Sequence, residues 1–305
     1  MFVAGGTGAI GRHAIRALIR AGHDVTALVR TAQRAAMVTS FGARPSEISM
    51  FDRAALTQAF AGQEAIVNLA TAVPPVSKFL RKRAWIENDR VRVEGSAAIV
   101  DAAIAAGVTR LVQESVVMIY RDHGDAWIGE DWPTEAFPMA VGNLAAERNA
   151  KRFSISGGTG VVLRFGWFHG PGATHSEQFL ALARRHISVM MGKPDGYVSS
   201  IHVADGGAAV LAALDVPAGT YNIVDDEPLT KRDYAEALAN AVRKRAWARP
   251  PGRLALMLGD RTTSLTRSLR VSNKLFRATA GWLPTHPNAR EGLLATAAML
   301  SARGH

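Results

Sequence analysis

The chain has 305 residues, 48 % of them apolar, no cysteine and a formal net charge of +10. That is enough apolar material for one large or two coupled domains. The lack of thiols excludes disulfides, thiolate catalysis and cysteine-ligated metal, and no charge-free run of 18 apolar residues points to a membrane span.

The basic excess invites a nucleic-acid reading, but Arg outnumbers Lys by about four to one. The charge also gathers late, with thirteen basic residues against three acids between Lys231 and Arg290. Without an aromatic-basic RNA motif or zinc-finger spacing, a solvated basic face that attracts anionic ligands is the simpler reading, and nucleic acid is not an expected partner. MFVAGGTGAIG at the start reads as a strand and turn, with no basic and apolar leader pattern, so a cytoplasmic protein is expected.

In chain order, MFVA (1–4) precedes a helix over Ile10–Ala21, and DVTALV (24–29) precedes one over Thr31–Val38. EISM (47–50) is a weaker strand, followed by Asp52 as N-cap of a helix over Arg53–Ala61. EAIVNLA (64–70) leads through a Pro-Pro loop to a long helix ending near Ala106-Gly107. RLVQES (110–115) and GVVLRF (160–165) are buried strands, separated by the helix that PMAVGNLAAE (138–147) opens. On that helix Met139 and Asn143 share one face, being four apart, with Leu144 and Ala145 turned inward.

Such alternation implies an α/β fold, a doubly wound parallel sheet of Rossmann type with right-handed crossovers. Beyond Phe165 the pattern loosens into HGPG (169–172), a helix near 176–186, a strand over YVSSIHV (197–203), a helix over 204–214 and a strand TYNIV (220–224). Two or three more helices finish the chain. The expected division is a nucleotide-binding domain, 1–165, and a smaller, mostly helical substrate lobe, 166–305, with 199–225 returning to the sheet.

GGTGAIG (5–11) carries glycines at 5, 8 and 11 between a strand and a helix. Gly5 permits the tight turn, Gly8 lets backbone approach a pyrophosphate, and Gly11 lets helix and strand pack closely. Thr7, Ala9 and Ile10 complete this phosphate turn, and the helix start offers free N–H groups and a partial positive charge. Where an acid at the end of the second strand would select NAD, this chain has ALVRTAQR. Arg30 and Arg34 suit a 2′-phosphate. NADP(H) is therefore the preferred cofactor, with NAD(H) as the alternative.

GGTGAIG, EAIVNLAT (64–71), AAIAAGVTRLVQES (102–115), LRFGWFHGPG (163–172), SSIHVAD (199–205), GTYNIVDDEPLT (219–230) and RVSNKLFRATAGWLP (270–284) together resemble the extended short-chain dehydrogenase/reductase superfamily, in particular its NAD-dependent epimerase/dehydratase group. The resemblance covers nearly the whole chain. It implies that Leu69, Ala70 and Thr71 line the cofactor, that Phe165 and Gly166 lie near the nicotinamide, and that copies of the chain pair as a homodimer.

The resemblance also implies a Ser or Thr four residues before a Tyr, then a Tyr-x-x-x-Lys that moves the proton. Here Val116 stands at the hydroxyl position, Met139 at the Tyr and Asn143 at the Lys, and no Tyr-x-x-x-Lys occurs in the chain. The stand-ins to test are Tyr120, after the fifth strand; Ser115, at its end; and His169, in place of the family's loop Tyr. Alternation should turn only one of Glu114 and Ser115 into the site, and a buried Glu114 could act as a base. His202 reads as structural, and no histidine spacing matches a metal motif.

Trp167, Tyr197 and Met139 are expected on the substrate wall, and DHGDAWIGEDWPTE (122–135) as either a lid or a plain loop. The function that follows is an NADP(H)-binding oxidoreductase acting on a small, partly apolar carbonyl, imine or enone. A redox-neutral isomerase, cyclase or lyase and a non-enzymatic NADP(H) sensor are the alternatives.

Overall fold

In the computed structural model, residues 1–187, 191–245, 259–260 and 262–302 are described. The first half forms β1 (Phe2–Ala4), α1 (Gly11–Arg20), β2 (Thr26–Leu28), α2 (Ala32–Ser40), β3 (Arg44–Ser46), α3 (Arg53–Phe60) and β4 (Ala65–Asn68). It continues with α4 (Ile86–Arg90), α5 (Ser96–Ala105), β5 (Arg110–Val116), β6 (Trp127–Ile128), α6 (Val141–Ile155) and β7 (Thr159–Phe165). The second half holds β8 (Trp167–His169), α7 (Thr174–Arg184), β9 (Tyr197–Val198), β10 (Ser200–His202), α8 (Val203–Ala212) and β11 (Gly219–Ile223). Then come β12 (Leu229–Thr230), α9 (Lys231–Ala241), α10 (Thr263–Thr266), β13 (Arg270–Val271), α11 (Lys274–Ala280) and α12 (Ala289–Ala302).

Seven strands pair in the order β11-β7-β5-β4-β1-β2-β3, all parallel. This is the expected doubly wound sheet. Its strands are apolar on both faces because both are covered. Ile15 and Leu18 of α1, Val38 of α2, Val210 of α8 and Phe276 of α11 pack on one side; Leu56 and Phe60 of α3, Ile99 of α5 and Phe153 of α6 pack on the other. A separate apolar cluster joins α7, α9 and α12 through Phe179, Leu180, Leu238 and Leu293. Among the described residues, no helix is long and apolar enough to cross a membrane.

Several elements depart from the sequence reading. The third strand lies at Arg44–Ser46 rather than 47–50, with Pro45 opposite Ala27; on an edge strand its missing N–H costs no ladder bond. Asp52 does cap α3, accepting from Ala55 N at 3.0 Å. The long helix after β4 is interrupted by a wider π turn, Val91–Gly95, a feature that often marks a functional position. α6 starts at Val141, with Ala140 N bonded back to Phe137 O, so Met139 sits in the turn before the helix.

The single strand expected over 197–203 divides. β9 pairs with β12 and β10 with β8, and between them the Ser199 hydroxyl bonds Leu269 O and Val271 N. Four helices are described after residue 225, where two or three were expected. The segment 122–135 is no lid: β6 pairs with β13, Ser268 N donates to Asp122 at 2.8 Å, and none of its residues lines the main cavity.

α1 and α8 cross closely because α8 carries Gly206 and Gly207. A Cβ on Gly207 would stand 2.7 Å from His13 C and 2.8 Å from Ala14 N, where only helix displacement relieves the overlap. Gly207→Ala should therefore lower the free energy of unfolding by roughly 1–3 kcal/mol in a urea titration; unchanged stability would show the crossing to be loose.

Candidate active site

At the carboxyl ends of β1 and β4, where the strand order reverses, lies a cavity of about 480 Å³. This is where open α/β sheets bind ligands. The Gly-rich turn forms one end. Gly5 adopts φ +80°, and a Cβ on it would lie 2.7 Å from Ala70 N, so only glycine allows the turn to press against the β4 end. Gly8 N donates to Gly5 O at 3.0 Å.

α1 begins without a side-chain cap and without an acid in its first turn, and the N–H groups of Gly11 and of Ala9 and Ile10 just before it stay open to an anion, while Arg12, His13 and Ala14 donate to backbone carbonyls. Gly5, Gly8, Ala9, Ile10 and Gly11 line the cavity, as do Leu69, Thr71 and Gly166. Asn68 fixes the opposing turn by accepting from Ala70 N at 3.2 Å while donating to Gln113 at 2.9 Å.

Arg30 and Arg34 line the same cavity from the end of β2 and the start of α2, exposed. Thr31 caps that helix by accepting from Arg34 N. Thr7 and Ala70 adjoin the cavity without lining it, and Phe165 is fully buried in the core.

The other end is aromatic. Trp167 lies nearly parallel to Phe179 with centroids 5.6 Å apart and meets His175 edge-on. Phe79 packs edge-on against Trp85 at 4.8 Å, and Phe137 completes the wall with Met118 and Ile119. Val116, Met139 and Asn143 all face this cavity, so the three positions that the resemblance assigns to proton handling are in place and carry other side chains. Tyr197 lines a second, smaller cavity behind it.

None of the three expected stand-ins reaches the main cavity. Ser115 points away from the cavity and donates to Glu147 at 2.6 Å, which Arg164 grips through two bonds. Tyr120 is fully buried; its hydroxyl donates to Asn222 at 2.8 Å, Arg164 lies over its ring, and burial pushes the phenol up to about 12. His169 pairs with Asp225 at 2.8 Å, both fully buried.

His202 lies outside the main cavity, and its ring accepts from Ala204 N. Together with Asp205 and His286 it presents atoms within 4.8 Å of one another. The Asp205 oxygens already accept from the backbone and side chains of Thr285 and His286, so this trio ties down a turn.

The group that sequence reasoning missed is Arg92. It projects from the π turn and pairs with Glu114 at 2.7 Å, the two side chains 2 % and 4 % exposed. The alternation of β5 turns Glu114 and Val116 into the cavity and Ser115 away. Burial pushes the Glu114 carboxyl up, against the pull of Arg92.

Around this pair the cavity presents buried polar atoms that have no hydrogen bond: Arg92 Nε, Asn88 Nδ2 and Asn143 Oδ1. The amides are oriented by their other contacts. Asn88 accepts from Ala72 N and Asn143 donates to Met139 O, leaving one free donor and one free acceptor. Unsatisfied groups of this kind are costly unless a ligand completes them. His175 also lines the cavity. Its Nε2 bonds Pro74 O and burial lowers its pKa, so the neutral ring presents Nδ1 as an acceptor.

The family model described as NAD(P)H-binding matches residues 5–215. The chain belongs to this NAD(P)H-binding family. It is 33 % identical to a "3-diazoavenalumate denitrifying reductase" from Streptomyces sp, over 96 % of this chain and 98 % of the relative. It is 27 % identical to a "4-hydroxy-2-methyl-3-oxo-4-farnesyl-3,4-dihydroquinoline-1-oxide ketoreductase" from Stigmatella aurantiaca, over 78 % and 71 %.

Among solved structures, a dTDP-glucose 4,6-dehydratase from Streptomyces venezuelae, with NAD and TYD bound, superposes with a TM-score of 0.81 at 21 % identity, over 99 % of this chain and 97 % of that one. The fold is thus that of the epimerase/dehydratase structures, and the two relatives described above are named as reductases.

Because Tyr120 is held inside the protein, Tyr120→Phe should leave NAD(P)H binding unchanged in calorimetry. It should cost roughly 1–3 kcal/mol of stability by orphaning Asn222. Weakened nucleotide binding at normal stability would return the phenol to the site.

Proposed function

We propose that this protein is an NADP(H)-dependent reductase that delivers hydride to an aromatic acceptor needing no protein-derived proton, with an aryl diazo compound as the substrate class. One observation carries the reading. The cavity that joins the phosphate turn to an aromatic wall presents Val116, Met139 and Asn143 where a hydroxyl, a phenol and an ammonium would handle a proton.

Ala9, Ile10 and Gly11 would hold the diphosphate through backbone N–H groups, and Arg30 and Arg34 the 2′-phosphate. When bound, NADPH supplies a hydride; in the net exchange a carbon–hydrogen bond replaces the carbon–nitrogen bond, whose electron pair leaves with N₂, and no proton is consumed. Trp167, Phe79 and Trp85 would pack against the substrate ring and keep water out. The printed name of the Streptomyces relative, a diazo compound and a denitrifying reductase, agrees with this chemistry. A carbonyl, imine or enone acceptor needs a proton as well. A general acid typically contributes about 10²–10⁴-fold, and among the described lining residues the carboxyl of Glu114 and the ring of His175, whose N–H is already given to Pro74 O, are the groups to supply it.

Incubated with NADPH and a stabilised aryl diazonium salt, the protein should release one N₂ per NADPH oxidised, above the enzyme-free rate. The matching benzaldehyde should turn over at least 100-fold more slowly. In the same assay Glu114→Gln should keep kcat within about 3-fold; a loss of about 10²–10⁴-fold would make Glu114 a catalytic acid and overturn the proton-free reading.

Arg30→Ala should weaken NADPH binding about 10-fold or more and NADH binding little, as measured by fluorescence titration. Equal weakening of both would remove the 2′-phosphate role.

A further inference from the structure

Behind the aromatic wall, a second cavity of about 140 Å³ shares Phe79, Met118, Trp167 and Ser264 with the main one. Its sides are largely apolar, with Val198, Leu265 and Phe179 among them, yet Lys231 opens into it. Lys231 is the first residue of α9 and only 3 % exposed.

Its ammonium donates to Met191 O at 2.6 Å and to Leu265 O at 2.8 Å, which uses two of three donors. Those partners are neutral. The one acid whose field reaches it is Asp122, which is exposed and already accepts from Gly124 N and Ser268 N. Arg267, also on the wall, is neutralised by Glu135. Tyr234 adds a fully buried hydroxyl whose near polar neighbour is Ser176, a residue that gives its own proton to Phe168 O.

Buried charges are normally paired, because transfer from water without a partner is costly. Here burial lowers the lysine to about 8, which still leaves it charged at neutral pH. A cation without a counter-ion, facing a small apolar chamber, marks where an anionic group of a ligand belongs.

We infer that this second cavity is a substrate subsite, which takes an apolar chain running on from the aromatic ring and ending in a carboxylate set against Lys231. The inference rests on the reductase reading in placing the ring in the main cavity. The substrate is then an aryl-alkanoic or aryl-alkenoic acid rather than a bare arene. Its chain crosses the boundary lined by Phe79, Met118, Trp167 and Ser264 that the two cavities share, and its carboxylate accepts the third ammonium proton.

The test is calorimetric binding to the NADPH-loaded protein. The probes are 3-phenylpropanoate, 5-phenylpentanoate and 7-phenylheptanoate, each beside its neutral carboxamide. For at least one chain length the carboxylate should bind about 10–100-fold tighter than the carboxamide, the range of a charge-assisted hydrogen bond. Lys231→Met should abolish that preference and leave the carboxamide affinity within about 2-fold.

Equal binding of acid and amide at every length in the unaltered protein overturns the subsite, and this arm does not depend on the variant folding. A preference that survives Lys231→Met overturns it too. Carboxylate selectivity in a protein that fails to reduce any diazonium salt supports the subsite and refutes the reductase reading alone.

Discussion

The Gly5–Gly11 turn lies against the end of β4 at van der Waals distance, and the site is arranged around that approach. With φ +80° at Gly5 and no Cβ to collide with the Leu69–Ala70 backbone, β1 can hand over to α1 within a few residues. The uncapped start of α1 then points into the gap where β2 and β4 diverge on either side of β1. The parallel sheet creates the crevice and the helix start gives it an affinity for anions. Gly206 and Gly207 hold α1 at its depth by letting α8 cross over it.

The groups able to move protons are nearby but engaged elsewhere. Ser115, Glu147, Arg164, Tyr120 and Asn222 form one chain of bonds, and His169, Asp225 and Ser200 form another. Both are buried and link the sheet to the second half of the chain, although Asn222 Nδ2 in the first and His169 Nδ1 in the second have no hydrogen bond. Where a hydroxyl, a phenol and an ammonium would stand, the cavity carries Val116, Met139 and Asn143. A fold that can bind a reduced pyridine nucleotide while withholding a proton is suited to acceptors that expel a leaving group instead.

Two buried cations define the polar chemistry that remains. Arg92 is matched by Glu114, although its Nε is left without a hydrogen bond, and Lys231 is matched by carbonyl oxygens alone. Pairing limits the first cost, while the second stands until something anionic arrives. The main cavity and its smaller neighbour therefore differ in kind: the one offers amide and carboxyl edges, the other a single charge at the end of an apolar passage.

The alternation of strand and helix, the phosphate turn and the two Arg after β2 were all legible in the sequence, because each depends on neighbours a few residues apart. So was the replacement of the proton-handling residues, since Met139 and Asn143 sit at fixed helical spacing. The shift of β3 to include Pro45 was not legible, because only the sheet decides which strand is an edge. Nor was Arg92, which reaches Glu114 from a π turn that no periodicity announces.

Tyr120, Ser115 and His169 read as candidates because a phenol, a hydroxyl and an imidazole look alike in a sequence whether they face a cavity or a buried partner. Local order in the chain thus determined the scaffold and its nucleotide turn. Long-range packing alone decided which polar groups are occupied and which are left free, because the partner of a buried group lies tens of residues away.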